Sequence, residues 1–120
     1  MENRGQKYHR GRMAEALREE IAVMVEGELG DPRIGLVTVS EVHLSEDGRT
    51  ARVFVAVTGD ENEAQQSLEG LNAARGFIRH EVTSRLGLRQ APEIVFVLDR
   101  SEHAAGRIEQ LLQRIQKRKQ

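Results

Sequence analysis

The sequence predicts an α+β domain, helices packed against a three-stranded sheet, and three observations carry that prediction. Apolar residues recur at helical spacing in three stretches, around 13–25, 64–86 and 108–115. Two runs of alternating apolar and polar residues, at 37–44 and 51–58, flank the turn sequence Ser45-Glu46-Asp47-Gly48. A third run, 94–98, is apolar on both faces and reads as the most buried strand of the sheet. The element order is therefore α-β-β-α-α-β followed by a closing helix.

Residues 1–11 read as a flexible basic arm, because Arg4, Lys7, His9 and Arg10 stand among glycines with no apolar periodicity. From Arg12 a first helix places Met13, Leu17, Ile21, Met24 and Val25 on one stripe, with Arg12 and Arg18 off it. It is expected to end near Leu29, since Gly30 suits a helix terminus and Pro32 disfavours helix in the residue before it. In the first strand Val37 and Val39 face one way, and Val42 and Leu44 keep that face only if one residue is surplus. A β-bulge near Ser40-Glu41 reconciles the two halves. The second strand lines Ala51, Val53, Val55 and Val57 on one face; the other, with Arg52, Phe54, Ala56 and Thr58, is half polar and invites partial cover. Acidic residues at Asp60 and Glu61 suit the start of a helix, where its dipole favours negative charge. The closing helix carries Ile108, Leu111, Leu112 and Ile115, with N-cap oxygens available from Asp99 and Ser101. One domain thus spans 12–115, and 116–120 form a basic tail.

The segment between the second and third strands departs from regularity. Ala64, Leu68 and Leu71, then Ile78, Val82 and Leu86, define a single apolar stripe. In one straight helix Arg75 would lie within about 40° of Leu71, inside that stripe. An unpaired guanidinium is too costly to bury there. Gly76 follows, and glycine inside a helix costs roughly 1 kcal/mol relative to alanine. Two helices meeting at a kink, with Arg75 turned outward, resolve the conflict.

Composition narrows the function. At 120 residues the chain is one domain able to bury about two-thirds of its unfolded surface. It holds no cysteine, which excludes disulfides, thiolate metal sites and a cysteine nucleophile and suits a reducing cytoplasm. The N-terminus lacks the apolar run of a signal peptide and no segment is long enough to span a bilayer, so a cytoplasmic protein without a membrane partner is expected. Net charge is −1, but unevenly spread: residues 1–18 hold five Lys/Arg against two Asp/Glu, residues 19–69 three against twelve, and residues 107–120 five against one. Such a chain can dock a basic face on phosphate while an acidic face stays in solvent.

Catalytic signatures are lacking. The four histidines, His9, His43, His80 and His103, show no metal-ligand spacing, and neither His80-Glu81 nor Glu102-His103 is accompanied by a nucleophile motif. No metal, no cofactor and no enzymatic activity are expected. The arginines are more informative. Arg75, Arg79, Arg85 and Arg89 run from the kink to the next loop, and guanidinium groups bind phosphate in a bidentate manner. A helix starting near Gly76 also presents free N–H groups and a positive dipole end to an anion. The alternative is that these arginines pair with carboxylates of the same domain. Phe77 and Phe96 fall at core positions, leaving too few aromatics for base stacking; recognition of phosphate and nucleic-acid shape is expected instead.

The whole pattern resembles the ribosome-binding factor A family. The residues that carry the resemblance are Asp31-Pro32-Arg33, Val37-Thr38-Val39, Leu71-Asn72-Ala73-Ala74-Arg75-Gly76-Phe77-Ile78-Arg79, Leu88-Arg89-Gln90-Ala91-Pro92-Glu93 and Asp99-Arg100-Ser101. The resemblance implies a type II KH-like fold in which Ala74-Arg75-Gly76 replaces the Gly-x-x-Gly loop of ordinary KH domains. It further implies binding to the free 30S small ribosomal subunit and help with late maturation and 5′-end processing of 16S rRNA, notably in the cold. A functional link to ribosome-assembly GTPases and a monomeric, non-catalytic protein are implied as well. The expected RNA-contacting set is Lys7, Arg10, Arg12, Arg18, Arg33, Arg75, Gly76, Arg79, Arg85 and Arg89. The competing reading is a KH-like protein-interaction module that uses the acidic segment, with RNA contact incidental.

Overall fold

The computed structural model describes residues 4–100 and 102–119, and its element order matches the predicted one. Helix α1 (Arg4–Gly27) leads into strands β1 (Val37–Leu44) and β2 (Thr50–Val57); helices α2 (Glu61–Ala73) and α3 (Arg75–Arg85) then precede β3 (Glu93–Leu98) and α4 (Glu102–Lys119). The strand order is β1-β2-β3, with β1 antiparallel and β3 parallel to the central β2. This is the type II KH-like arrangement.

Leu17, Ile21 and Met24 of α1, Leu71 of α2, and Ile78 and Val82 of α3 are fully buried against Val39, Val53, Val55, Ile94 and Phe96 of the sheet. Each such side chain contributes roughly 1.5–3 kcal/mol by leaving water. Val39 pairs with Val55 and Glu41 with Phe54, so Ser40 is the surplus residue of the predicted bulge. Its hydroxyl is buried without a hydrogen-bond partner among the described residues. The hairpin closes where Gly48, at φ 71°, donates to the Ser45 carbonyl at 2.9 Å.

Three expectations are corrected. α1 begins at Arg4, not Arg12, so residues 4–11 are helical where a flexible arm was expected; it also ends at Gly27, short of Leu29. Its first turns reach past the core, where a helix needs no apolar stripe. β3 is an edge strand, and the most enclosed position belongs to β2, which is paired on both sides. Phe77 is 52% exposed, not a core residue, because it lies about 100° round α3 from the buried Ile78, off the apolar stripe. Residues 1–3 of the expected arm, the side chain of Lys7, the Ser101 cap and the Lys119 side chain lie outside the described residues.

Helix ends follow local chemistry. Asp60 caps α2 in a reciprocal box: the Glu63 N–H donates to Asp60 Oδ1 at 2.8 Å, and the Asp60 N–H donates to Glu63 Oε1 at 3.4 Å. α3 ends with Gly87 at φ 63° and the Leu88 N–H donating to the Thr83 carbonyl at 2.9 Å, a left-handed terminus that glycine permits. α4 lies against β1 and β2, and the outward-pointing Thr38 and Ala56, 6% and 3% exposed, mark the half of the outer sheet face that is covered.

Candidate nucleic-acid interface

The junction of α2 and α3 occupies a single residue, Ala74, at φ −87° and ψ 0°. Its N–H donates to the Gly70 and Leu71 carbonyls, ending α2, while its own carbonyl accepts from the Ile78 N–H at 2.9 Å and starts α3. Unlike Asp60 at the head of α2, Ala74 offers no side-chain cap, and no acidic residue lies in the first turn of α3. The positive end of α3 is therefore uncovered, beside exposed Arg75 and Gly76. Arg75 Nε donates to the Asn72 carbonyl at 3.2 Å, which holds the guanidinium at the kink. Among the described residues no carboxylate is recorded as its partner.

Gly76 sharpens this picture. A Cβ placed on it would meet nothing within 4 Å, and its φ is not positive, so neither packing nor backbone conformation of this domain requires glycine. Gly70, one helical segment earlier, is the contrast: a Cβ there would come within 2.7 Å of Ile34 Cγ1. Gly70 serves the fold, whereas Gly76 leaves room for something outside it.

The remaining candidates separate into groups. Arg85 pairs with Glu28 at 2.7 Å and has Glu20 and Glu81 at 3.8 Å, and the Glu28 hydrogen bond raises its pKa further. Arg18 pairs with Glu15 at 2.6 Å and Arg33 with Asp31 at 2.7 Å; the Arg33 guanidinium holds the Asp31 carboxyl below its usual range. These three have their nearest charge partners within the domain. Arg79 is half-buried and donates through Nε to the Ala91 carbonyl at 3.0 Å, tying α3 to the loop before β3. Arg12 and Arg89 are exposed, and Lys7 has only its backbone described, within α1.

Two open clefts meet at the hairpin tip and share Gly48, Gln90 and Pro92. One, of about 550 Å³, is lined by His9, Arg10 and Met13 of α1; the other, of about 420 Å³, by Arg49 and Arg79. The fold thus gathers Arg10, Arg49 and Arg79 around one corner, apart from the Arg85 cluster. Arg49 was missed by sequence reasoning, although an arginine directly after the Asp47-Gly48 turn is a visible signal of an exposed loop cation. Among the described residues no cluster of His, Cys, Asp and Glu could hold a metal ion, and no described helix is long and apolar enough to cross a membrane.

A family model described as ribosome-binding factor A matches residues 9–112. A ribosome-binding factor A from Koribacter versatilis is 61% identical over 119 residues, covering 99% of this chain and 97% of that protein. The crystal structure of ribosome-binding factor A from Thermus thermophilus superposes with a TM-score of 0.68 at 27% identity, covering 78% of this chain and 98% of that one. A homology model of the Thermus thermophilus factor, fitted into a cryo-EM map of its complex with 30S, superposes with a TM-score of 0.57 at 30% identity, covering 78% and 93%.

Proposed function

Because the chain belongs to the ribosome-binding factor A family, we propose that it binds the free 30S small ribosomal subunit and assists late maturation and 5′-end processing of 16S rRNA, without catalysing a reaction itself. The Thermus thermophilus relative fitted into a 30S complex supports the partner. The observation that carries the reading here is the kink: an uncapped helix start, an exposed arginine held beside it, and a glycine that the fold does not require. Together these make a surface on which an RNA phosphate can approach the backbone and accept from the first N–H groups of α3. Lys7, Arg10, Arg12, Arg18, Arg33, Arg79, Arg85 and Arg89 extend the basic footprint, and Arg18, Arg33 and Arg85 reach RNA by sharing the carboxylate partners described above.

The protein acts as a monomer in the cytoplasm and supports subunit assembly in the cold, in functional connection with ribosome-assembly GTPases. Co-sedimentation with free small subunits tests the proposal. Binding should weaken with salt by a logarithmic slope of roughly 0.7–0.9 per phosphate contact, and Arg75→Ala should lower that slope by about one contact. Equal affinity for free subunits and for assembled ribosomes would contradict it. An interaction untouched by RNase and by Arg75→Ala would favour the protein-interaction module.

A further inference from the structure

α4 lies against β1 and β2, and on the outer sheet face Thr38 and Ala56 are buried while Glu41, His43 and Arg52 are exposed. On the exposed half, across the bulge, the chain places Glu41 and His43 of β1 beside Arg52 and Phe54 of β2. His43 and Arg52 are direct cross-strand partners and Glu41 is opposite Phe54, so the four side chains emerge on one surface. The His43 and Phe54 ring centroids are 4.9 Å apart at 56°, and Arg52 Cζ lies over the Phe54 ring at 5.3 Å from its centroid. His43 and Arg52 are exposed, with Phe54 half-buried beneath them.

The charge of Arg52 distinguishes this patch. Arg18, Arg33, Arg85 and Arg100 each hold a carboxylate at 2.6 or 2.7 Å. For Arg52, among the described residues, the recorded neighbour is an aromatic ring instead. Glu41, the nearby carboxylate, is engaged with His43 Nε2 at 2.8 Å. The surface therefore offers an imidazole in tilted contact with Phe54, a guanidinium with no carboxylate partner among the described residues, and one acceptor-only carboxylate. A planar ring carrying an amino group and joined to a phosphate complements all three.

We propose that this half of the sheet is a stacking site for one unpaired RNA nucleotide, the base lying on His43 and Arg52 above Phe54, its phosphate held by Arg52. The base's exocyclic amino group donates to Glu41. The proposal rests on the RNA-binding reading above and adds to it a second contact, on the opposite side of the sheet from α1, α2 and α3. It also revises the expectation that too few aromatics are available for stacking, since imidazole and guanidinium planes serve as well as phenyl rings.

The test uses the full chain with a single-stranded octaadenylate, and a duplex RNA of the same strand length as comparator. Adding octaadenylate should move the His43 and Phe54 ring protons upfield in NMR spectra of the unaltered protein. Arg52→Ala and Phe54→Leu should each weaken octaadenylate binding by roughly fivefold to a hundredfold, while duplex affinity stays within twofold. Thermal unfolding of both variants should remain cooperative, since neither side chain is in the core. If octaadenylate binds, Arg75→Ala weakens it, and the His43 and Phe54 signals stay unmoved, the stacking site is refuted and the RNA-binding reading stands. If neither RNA binds at low salt, both fall.

Discussion

Gly76→Ala separates what the fold needs from what a partner needs. A methyl group at this position meets no atom within 4 Å and sits on a backbone that any L-residue adopts, in the first turn of α3. Replacing glycine by alanine at such a site restricts the unfolded chain and improves helix propensity, together worth about 0.4–1 kcal/mol. For a domain of this size that corresponds to a rise in Tm of roughly 2–5 °C. The same methyl would stand where a phosphate must approach the N–H groups of α3. Losing one hydrogen bond to a charged acceptor costs about 1.5–3 kcal/mol, so affinity for the small subunit should fall roughly 10- to 100-fold. Urea unfolding and subunit co-sedimentation on the same preparation give both numbers. A variant that is destabilised by more than about 1 kcal/mol would show that glycine serves the helix junction, because alanine normally stabilises such a site. A variant that is more stable and binds unchanged would remove the kink from the interface.

Gly70→Ala should do the opposite. The new Cβ would approach Ile34 Cγ1 at 2.7 Å and Arg33 Cβ at 3.4 Å, and an overpacking cost of about 1–3 kcal/mol exceeds or cancels the helix gain, giving a lower urea midpoint. Ser67→Ala strips the same contact of its polar half, since Ser67 Oγ accepts from the Gly35 N–H at 3.0 Å and donates to the Arg33 carbonyl at 3.4 Å. Stranding those backbone groups should cost about 1–3 kcal/mol, read as a lower Tm with the fold retained by circular dichroism. Acid should weaken the fold in a defined window. Asp31 is held below its usual range by Arg33, Asp47 by the Ser45 hydroxyl and Glu61 by Arg100. Depressed folded-state values mean that their stabilisation is fully present above the ordinary carboxylate range near pH 4 and is lost as pH falls through the folded values. Urea midpoints measured from pH 6 down to pH 3 should drop in the lower half of that range, and less so in Asp47→Asn.

The bulge, the kink and the turn were legible because each is a local conflict with a single resolution. Val42 and Leu44 can share a face with Val39 only if a residue is surplus, and Arg75 can avoid burial only if the helix breaks. The position of β3 was not legible in this way. An apolar run says that both faces of a strand are sheltered but not which strand stands beside it, and here the crossover through α2 and α3 brings β3 parallel to β2 at the edge. The arginine set divided for a related reason. Arg18 and Glu15 are three residues apart on one helix, a pairing the sequence displays, whereas Arg85 and Glu28 are 57 residues apart and meet only when α3 packs on α1. Phe77 was misread because it adjoins Ile78 in sequence, whereas helical spacing sets it about 100° round from that residue, on the exposed side of α3.

The bulge at Ser40 has a consequence for shape. Removing Ser40 would leave Val39 and Val42 facing the core and Glu41 and His43 facing outward, since the two flanking registers already agree without it. The strand tolerates an interrupted ladder, and a hydroxyl without a partner among the described residues, for a residue that its alternation does not use. What the extra residue adds is bend and local twist. The bend falls between the start of β1 and its hairpin tip, and Leu44, Glu46, Asp47 and Gly48 of that end, with His9 and Arg10 of α1, wall one cleft. Curvature here is specified separately from pattern. A chain shortened by that one residue would keep every side chain on its own side and change only the path of the arm that reaches the corner.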